Sequence, residues 1–548
     1  MSKIAQYLNE HILGEVTSSR AVRERFSRDA SVLSITPELV IFPRVTNDIR
    51  KAARFSWQLA EKGHVLPITT RGGGSDQTGA AIGRGIIINT TAHLNNIIHI
   101  ALKDKEHVVH VQPGVNFKSL NDTLQWHGLN IPTAPESAAY STIGGAVANN
   151  SGGQFSGRYG LTGDWVTRLE VVLANGDLIE TTRLNKRELS KKKGMQTFEG
   201  EVYRKIDGLI EDNQDLIKNK LEGDDRDNSG YRGIAKVKNR DGSFDLTPLL
   251  IGSQGTLGII SEIVLKTEFI SKEQSIVVAV LPSNETARDV ADALKSTQPS
   301  SLETLDGALF DAASNVGKHY SFFEGSSDVV AIGAVVYVSF NDFSDRARSH
   351  KLKKAVKILQ KGGAITTVTT DDHAVEDLVR VREIYSSILT ATADDESMPP
   401  ILDGASVPFN RSEEFTIAVN ELAAKHHITL PLKIRVLDGV IMARPTLQLA
   451  HVSDKQKVFK LISEYQQLVE KFGGSLIAES GEGRLKTNAA YTGLDAETIK
   501  LYQDIRETFD PFCILNTGVK QVVEVSEFAK MLRSSYDTAD FAQYSVHI

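Results

Sequence analysis

Pro132-Thr-Ala-Pro135-Glu-Ser137-Ala-Ala-Tyr-Ser-Thr142-Ile143-Gly144-Gly145-Ala-Val-Ala-Asn149-Asn150-Ser151-Gly152-Gly153, running on to Gly157-Arg158-Tyr159-Gly160, decides how the rest of the chain reads. Glycines cluster here among small side chains. Each glycine loses more chain entropy on folding than any other residue, so a cluster needs a reason. Composition alone allows a flexible loop. The apolar Ile143, Ala146, Val147 and Ala148 argue instead for a buried turn entering a short helix, with backbone N–H groups free to meet an anion.

Two further stretches sharpen the reading. Val65-Leu-Pro-Ile-Thr-Thr70 is an apolar run that meets Arg71-Gly72-Gly73-Gly74-Ser75-Asp76-Gln77-Thr78-Gly79. A strand followed by a glycine turn with Ser and Asp is a phosphate-cradle pattern. It is not the dinucleotide fingerprint, because the third glycine is absent where Gln77 stands, and it is not a P-loop, because no Gly-Lys-Ser/Thr follows. Leu250-Ile-Gly252-Ser-Gln-Gly255-Thr-Leu-Gly258-Ile259-Ile260-Ser-Glu262 spaces three glycines by three residues between apolar segments. The three stretches in this order, with Pro113-Gly114-Val115 and Asn228-Ser-Gly-Tyr231, resemble the flavin domain of the vanillyl-alcohol oxidase and p-cresol methylhydroxylase superfamily over residues 36–270.

Composition bounds the alternatives. The chain has 548 residues, room for two or three domains. Its 62 basic and 69 acidic residues, a net −7, give no basic footprint for nucleic acid. The single Cys513 excludes an internal disulfide and any multi-thiolate metal or iron–sulfur site within the chain. The first ten residues lack the apolar core of a signal peptide, and no apolar run approaches the ~18 residues of a membrane span. These features point to the cytoplasm and leave open peripheral attachment to the inner face of a membrane.

The pattern along the chain predicts an α+β protein in four parts. Residues 1–35 read as a helical extension and 36–270 as a two-subdomain cofactor domain. Residues 271–500 read as an α+β substrate domain whose long helices cover a mainly antiparallel sheet, and 501–548 as a segment returning to the first domain. Thr46 caps a helix over 47–62, Asn175-Gly176 closes a type I′ hairpin, and 183–245 reads as a solvated insertion. Strands are expected over 329–340 and 475–478, and a helix over 373–389.

Val381-Arg382-Glu383, Asp403 to Pro408, Gly473 to Lys486 and Phe509 to Lys520 resemble the C-terminal domain of FAD-linked oxidases such as D-lactate dehydrogenases, the glycolate oxidase flavin subunit and D-2-hydroxyglutarate dehydrogenase. The resemblance implies FAD as cofactor, held by Arg71, Gly72, Gly73, Gly74, Ser75, Asp76, Pro135, Ser137, Thr142, Gly144, Gly145, Asn149, Ser151, Ile259, Ile260 and Asn516. The first glycine loop has no His, so the flavin is expected to be noncovalent. Arg382 falls where relatives hold a substrate carboxylate. Relatives also carry Gly-His-x-Gly-Asp-Gly-Asn-x-His, which supplies two metal-binding His. Here Arg435 and Met442 stand at those places, and Glu479-Ser480-Gly481 replaces Glu-His-Gly. The expected catalytic set is Arg382, Arg435 and Glu479 with no metal, Arg435 supplying the lost positive charge. The implied activity is dehydrogenation of a small, anionic 2-hydroxy acid, passing electrons to a quinone, cytochrome, electron-transfer flavoprotein or oxygen. A flavoenzyme for sugars or polyols, and an electron-relay flavin subunit, remain alternatives.

Overall fold

The structure is a computed structural model that describes residues 3–101, 107–223, 226–269, 271, 273–315, 320, 332–371, 373–385 and 396–536. The start of the expected 329–340 strand, the end of the 373–389 helix, residues 224 and 225 of the 183–245 segment and the last residues of the 501–548 segment lie outside these.

Three larger sheets organise the described residues, beside a two-stranded pair, Leu129–Asn130 with Glu268–Phe269. The first has four strands in the order Glu15–Thr17, Leu39–Phe42, Ile86–Asn89, Ile68–Arg71. The last three are parallel, in register Val40↔Ile87 and Thr69↔Ile87. Parallel strands need a crossover, and the helix Thr46–Glu61 supplies one. Ile86, Ile87 and Ile88 are all buried, as expected of a strand covered on both faces. The second sheet is antiparallel, in the order Ile97–Ala101, Val108–Val111, Ile259–Lys266, Val166–Val172, Leu178–Thr181. The third has seven antiparallel strands, in the order Thr366–Thr369, Ser275–Leu281, Ala334–Phe340, Ser301–Asp306, Leu432–Arg435, Val440–Ala443, Ala405–Ser406. Helices Asn284–Leu294 and Asp345–Lys361 pack on it.

Register aligns charge on the third sheet. Glu303 pairs with Arg435, and Lys433 pairs with Met442. Side chains alternate faces along a strand, so Glu303, Lys433, Arg435 and Met442 share one face, and Arg444 continues it.

Several expectations are corrected. The first 35 residues are not only helical: Glu15–Thr17 adds a strand to the first sheet, and Ala5, Leu8 and Val16 enter its core. The 46–61 helix begins at Thr46, with Val45 as an N-cap that makes no side-chain bond. Asn175 does not take a positive φ; only Gly176 does (φ 85°), because five residues separate the hairpin strands and the Asn175 side chain accepts from the Asp177 amide. The 183–245 segment is no solvated insertion. Its helix Phe198–Asp212 buries Val202, Tyr203, Ile206 and Ile210, spaced to form one helical face, against the helix Ala496–Phe509. Ser475 makes an isolated bridge to Ser406 rather than starting a strand.

Candidate active site

A cavity of about 470 Å³ lies where the glycine stretches meet the charged face of the third sheet. The first glycine turn leaves the strand Ile68–Arg71. A Cβ on Gly73 would sit 1.9 Å from the Tyr140 carbonyl oxygen, so only glycine lets the first and second stretches touch. The Asp76 carboxylate turns back into the loop, accepting from the Thr78 and Ala80 amides (2.9 and 2.7 Å) and from Asn149 Nδ2 (3.2 Å). That leaves the N–H groups of Gly73 to Gln77 with no hydrogen-bond partner among the described residues.

The second stretch forms the helix Ile143–Asn149. Thr142 Oγ1 accepts from Gly145 N (3.2 Å), and Gly144 N donates to the Pro113 carbonyl (2.9 Å), so these two amides are already used. Asn150 ends the helix in the left-handed region at φ 48°. A Cβ on Gly145 would meet only Thr142 Oγ1, at 3.3 Å, and otherwise enter the cavity. The third stretch locks on through Gln254 Nε2, which donates to Asn149 Oδ1 (2.7 Å). These residues fit FAD. The run of unpartnered amides in the first turn suits a pyrophosphate, and the glycine wall admits the rest of the molecule closely.

Gly72 to Asp76, Pro135, Ser137, Thr142, Gly144, Gly145, Asn149, Ser151, Ile260 and Glu479 line the cavity. Arg71, Ile259 and Asn516 do not. The Arg71 guanidinium donates to the carbonyls of Arg28 (2.7 Å) and Ala81 (3.3 Å) beneath the turn. Ile259 packs in the core of the first sheet, opposite in phase to Ile260 on the same strand. Asn516 Nδ2 donates to the Ala80 and Gln254 carbonyls (2.8 and 2.7 Å), clamping the first and third glycine turns together.

The expected cations are occupied. Arg382 is buried off the cavity wall, its Nε and Nη2 on Glu303 (3.1 and 2.8 Å) and Nη2 also on Glu136 (2.9 Å). Lys433 Nζ reaches Glu136 at 2.6 Å. Burial works to raise the Glu136 carboxyl, but Lys433 and Arg382 outweigh it and hold it well below the usual carboxylate range. Arg435 forms a two-point ion pair with Glu479, Nη1 to Oε1 at 2.9 Å and Nη2 to Oε2, and also bonds Asp438. This donor set does not fit a divalent cation: a guanidinium occupies the carboxylate, and Met442 offers only a thioether. Among the described residues no group of three or more His, Cys, Asp or Glu could hold a metal.

The remaining wall comes from residues that sequence reasoning did not single out as functional. Glu383, Tyr140, Tyr385, Asp403, Arg444, Ser480 and Tyr536 all line the cavity. The Glu383 side chain is exposed at the cavity wall and has no hydrogen-bond or ion-pair partner among the described residues, and partial desolvation raises its carboxyl above the usual range against the pull of Arg382. The Tyr140 phenol is raised chiefly by burial and lies in the electrostatic field of Arg444, Glu383 and Glu136. Arg444 could have been found from the alternation that puts it on the face of Arg435 and Met442.

Comparison with known proteins agrees with this construction. The family model for the FAD binding domain matches residues 37–182, and that for the FAD linked oxidases, C-terminal domain, matches 270–519. The chain is 27% identical over 540 residues to D-2-hydroxyglutarate dehydrogenase of Pantoea ananatis, covering 96% of this chain and 52% of that protein. It therefore spans about half the length of that relative. It is 26% identical over 505 residues to glycolate oxidase subunit GlcD of Bacillus subtilis, covering 91% and 92% of the two chains. In fold it matches the solved structure of p-cresol methylhydroxylase with substrate bound, at TM-score 0.67 and 13% identity over 94% of this chain and 96% of that one. The sheets and the glycine cradle thus define a flavoprotein of the p-cresol methylhydroxylase architecture. With both domains accounted for, the chain belongs to the FAD-linked oxidases, and its cofactor is FAD.

Proposed function

We propose that this protein dehydrogenates a small 2-hydroxy acid, using noncovalently held FAD. One observation carries the reading: the cavity that begins at the unpartnered amides of Gly73 to Gln77 continues to Glu383, Tyr140, Asp403 and Arg444, so cofactor and ionisable groups share one cavity. The names of the relatives support it. Dehydrogenation removes a hydride from C2 and a proton from the hydroxyl, leaving a 2-oxo acid. Bound FAD supplies the two-electron acceptor. Glu383 is the carboxylate free to take the proton, while Tyr140 and Tyr385 shape the space beside it. Arg382 holds Glu136, and Arg435 holds Glu479, so both act as positioning residues. The altered donor set at Arg435 and Met442 favours a second reading, an alcohol of the sugar or polyol class. The electrons pass on to one of the acceptor classes named above. Cytoplasmic residence with contact at a membrane face fits the absence, among described residues, of any helix long and apolar enough to cross one.

The test is anaerobic bleaching of the flavin by a panel of D- and L-2-hydroxy acids, sugars and polyols. Bleaching by a hydroxy acid is expected. Glu383→Gln should slow it by roughly 10²- to 10⁴-fold. Because the Glu383 carboxyl is raised, the acid limb of kcat/KM should lie above the ordinary carboxylate range and vanish in that variant. Bleaching by sugars alone would overturn the hydroxy-acid reading.

A further inference from the structure

Arg444 is the one basic residue on the cavity wall among the described residues. Its Nε donates to Asp403 Oδ2 at 2.7 Å, and Asp403 Oδ1 in turn accepts from the Ala443 amide at 3.1 Å. The guanidinium lies 4.4 Å from the centre of the Tyr385 ring, which fixes its plane. The side chain is 7% exposed, and neither terminal nitrogen has a hydrogen-bond partner among the described residues. A buried charged donor without a partner is costly, and an acceptor oxygen from a ligand removes that cost. The other cations nearby have partners: Arg382 on Glu303, Lys433 on Glu136, Arg435 on Glu479, and Lys486 on the Asp403 carbonyl.

We propose that Arg444 is the substrate's carboxylate anchor, a role displaced from the helix bearing Arg382 to the strand end after Val440–Ala443. The inference rests on reading the cavity as a hydroxy-acid site and names the residue that selects an acid there. Asp403 holds one edge of the guanidinium; Nη1 is shut off from solvent, and Nη2 is the terminal donor left for a carboxylate oxygen. Carboxylates should bind and neutral polyols of the same size should not.

The experiment uses oxalate, an inert dianion, titrated into the FAD-loaded full-length protein, with the flavin absorbance perturbation giving Kd. Arg444→Lys keeps the charge beside Asp403 and loses the Nη2 donor. It should weaken oxalate roughly 10- to 100-fold, the range for losing hydrogen bonds to a charged group, with FAD content unchanged. A paired Arg444→Gln and Asp403→Asn variant removes both buried charges together and should abolish the perturbation. Unchanged Kd in folded, FAD-loaded variants overturns the proposal. So does loss of FAD from the folded variants, which would give Arg444 to the flavin. Oxalate binding that depends on Arg444 in a protein that no hydroxy acid bleaches supports the anchor and removes only the reading of the reaction.

Discussion

At the scale of single residues, two glycines do different work. Gly145 faces the cavity with nothing but Thr142 Oγ1 near its missing Cβ. Gly145→Val should therefore fold normally and lose FAD. Gly176 takes φ 85°, and a Cβ there would lie 2.6 Å from the Arg50 carbonyl oxygen. Gly176→Ala should keep FAD and lose about 1–3 kcal/mol of stability from backbone strain. Flavin absorbance of the purified variants and their urea midpoints separate the two effects, and equal flavin retention would count against the cradle. Residue identity made both glycines visible in the sequence. It could not show that the amides of Gly144 and Gly145 are spent inside the protein while those of Gly73 to Gln77 are open, because partner choice depends on which segments the fold brings together.

At the scale of elements, the C-terminal turns hold the flavin-side segments through a buried ion pair. Lys520 Nζ meets Glu482 Oε2 at 2.5 Å, both side chains fully buried, and also donates to the Gly230 carbonyl at 2.8 Å. Glu482 Oε1 accepts from the Gly230 amide at 2.8 Å. Removing one partner strands a charge, so Glu482→Gln should cost about 3–5 kcal/mol in a denaturation midpoint, with Glu482→Leu/Lys520→Met recovering much of it. The strand Ala334–Phe340 of the third sheet was legible from its apolar run, whereas Ser301–Asp306, which carries Glu303 and Asp306, was not. The helix Phe198–Asp212 was not, since the charged Lys-rich run before it masked the face carrying Val202, Ile206 and Ile210. Arg435 was legible as a cation with Glu479 or Asp438 for a partner, but the carboxylates that occupy Arg382 were not, since Glu136 and Glu303 reach it across 246 and 79 residues of chain.

At the scale of the whole molecule, stability should carry a mark from Asp29. This carboxyl is fully buried beneath the first glycine turn and is raised from 3.8 to about 7, by burial first and by the neighbouring Asp76 second. A raised acid stabilises the fold when protonated. Its contribution is complete below pH 3.8 and fades as pH rises through about 7. Denaturation midpoints measured from pH 5 to 8 should fall more steeply for the native chain than for Asp29→Asn; parallel curves would show that Asp29 is not the source.

Asp29 lies in a segment whose neighbours tie together stretches far apart in sequence. Leu33 bridges Leu532, Ser34 N donates to the Met531 carbonyl at 2.8 Å, and Leu515 adds beside Ile68 at the free edge of the first sheet. During synthesis the sheet that carries the first glycine turn thus leaves the ribosome well before Leu515, which completes its edge, is made. At ~5–20 residues per second that wait is roughly half a minute to a minute and a half. Through it, the open edge at Ile68–Arg71 stands exposed to pairing with other nascent chains. The yield of a closed first sheet therefore becomes a race between translation and aggregation.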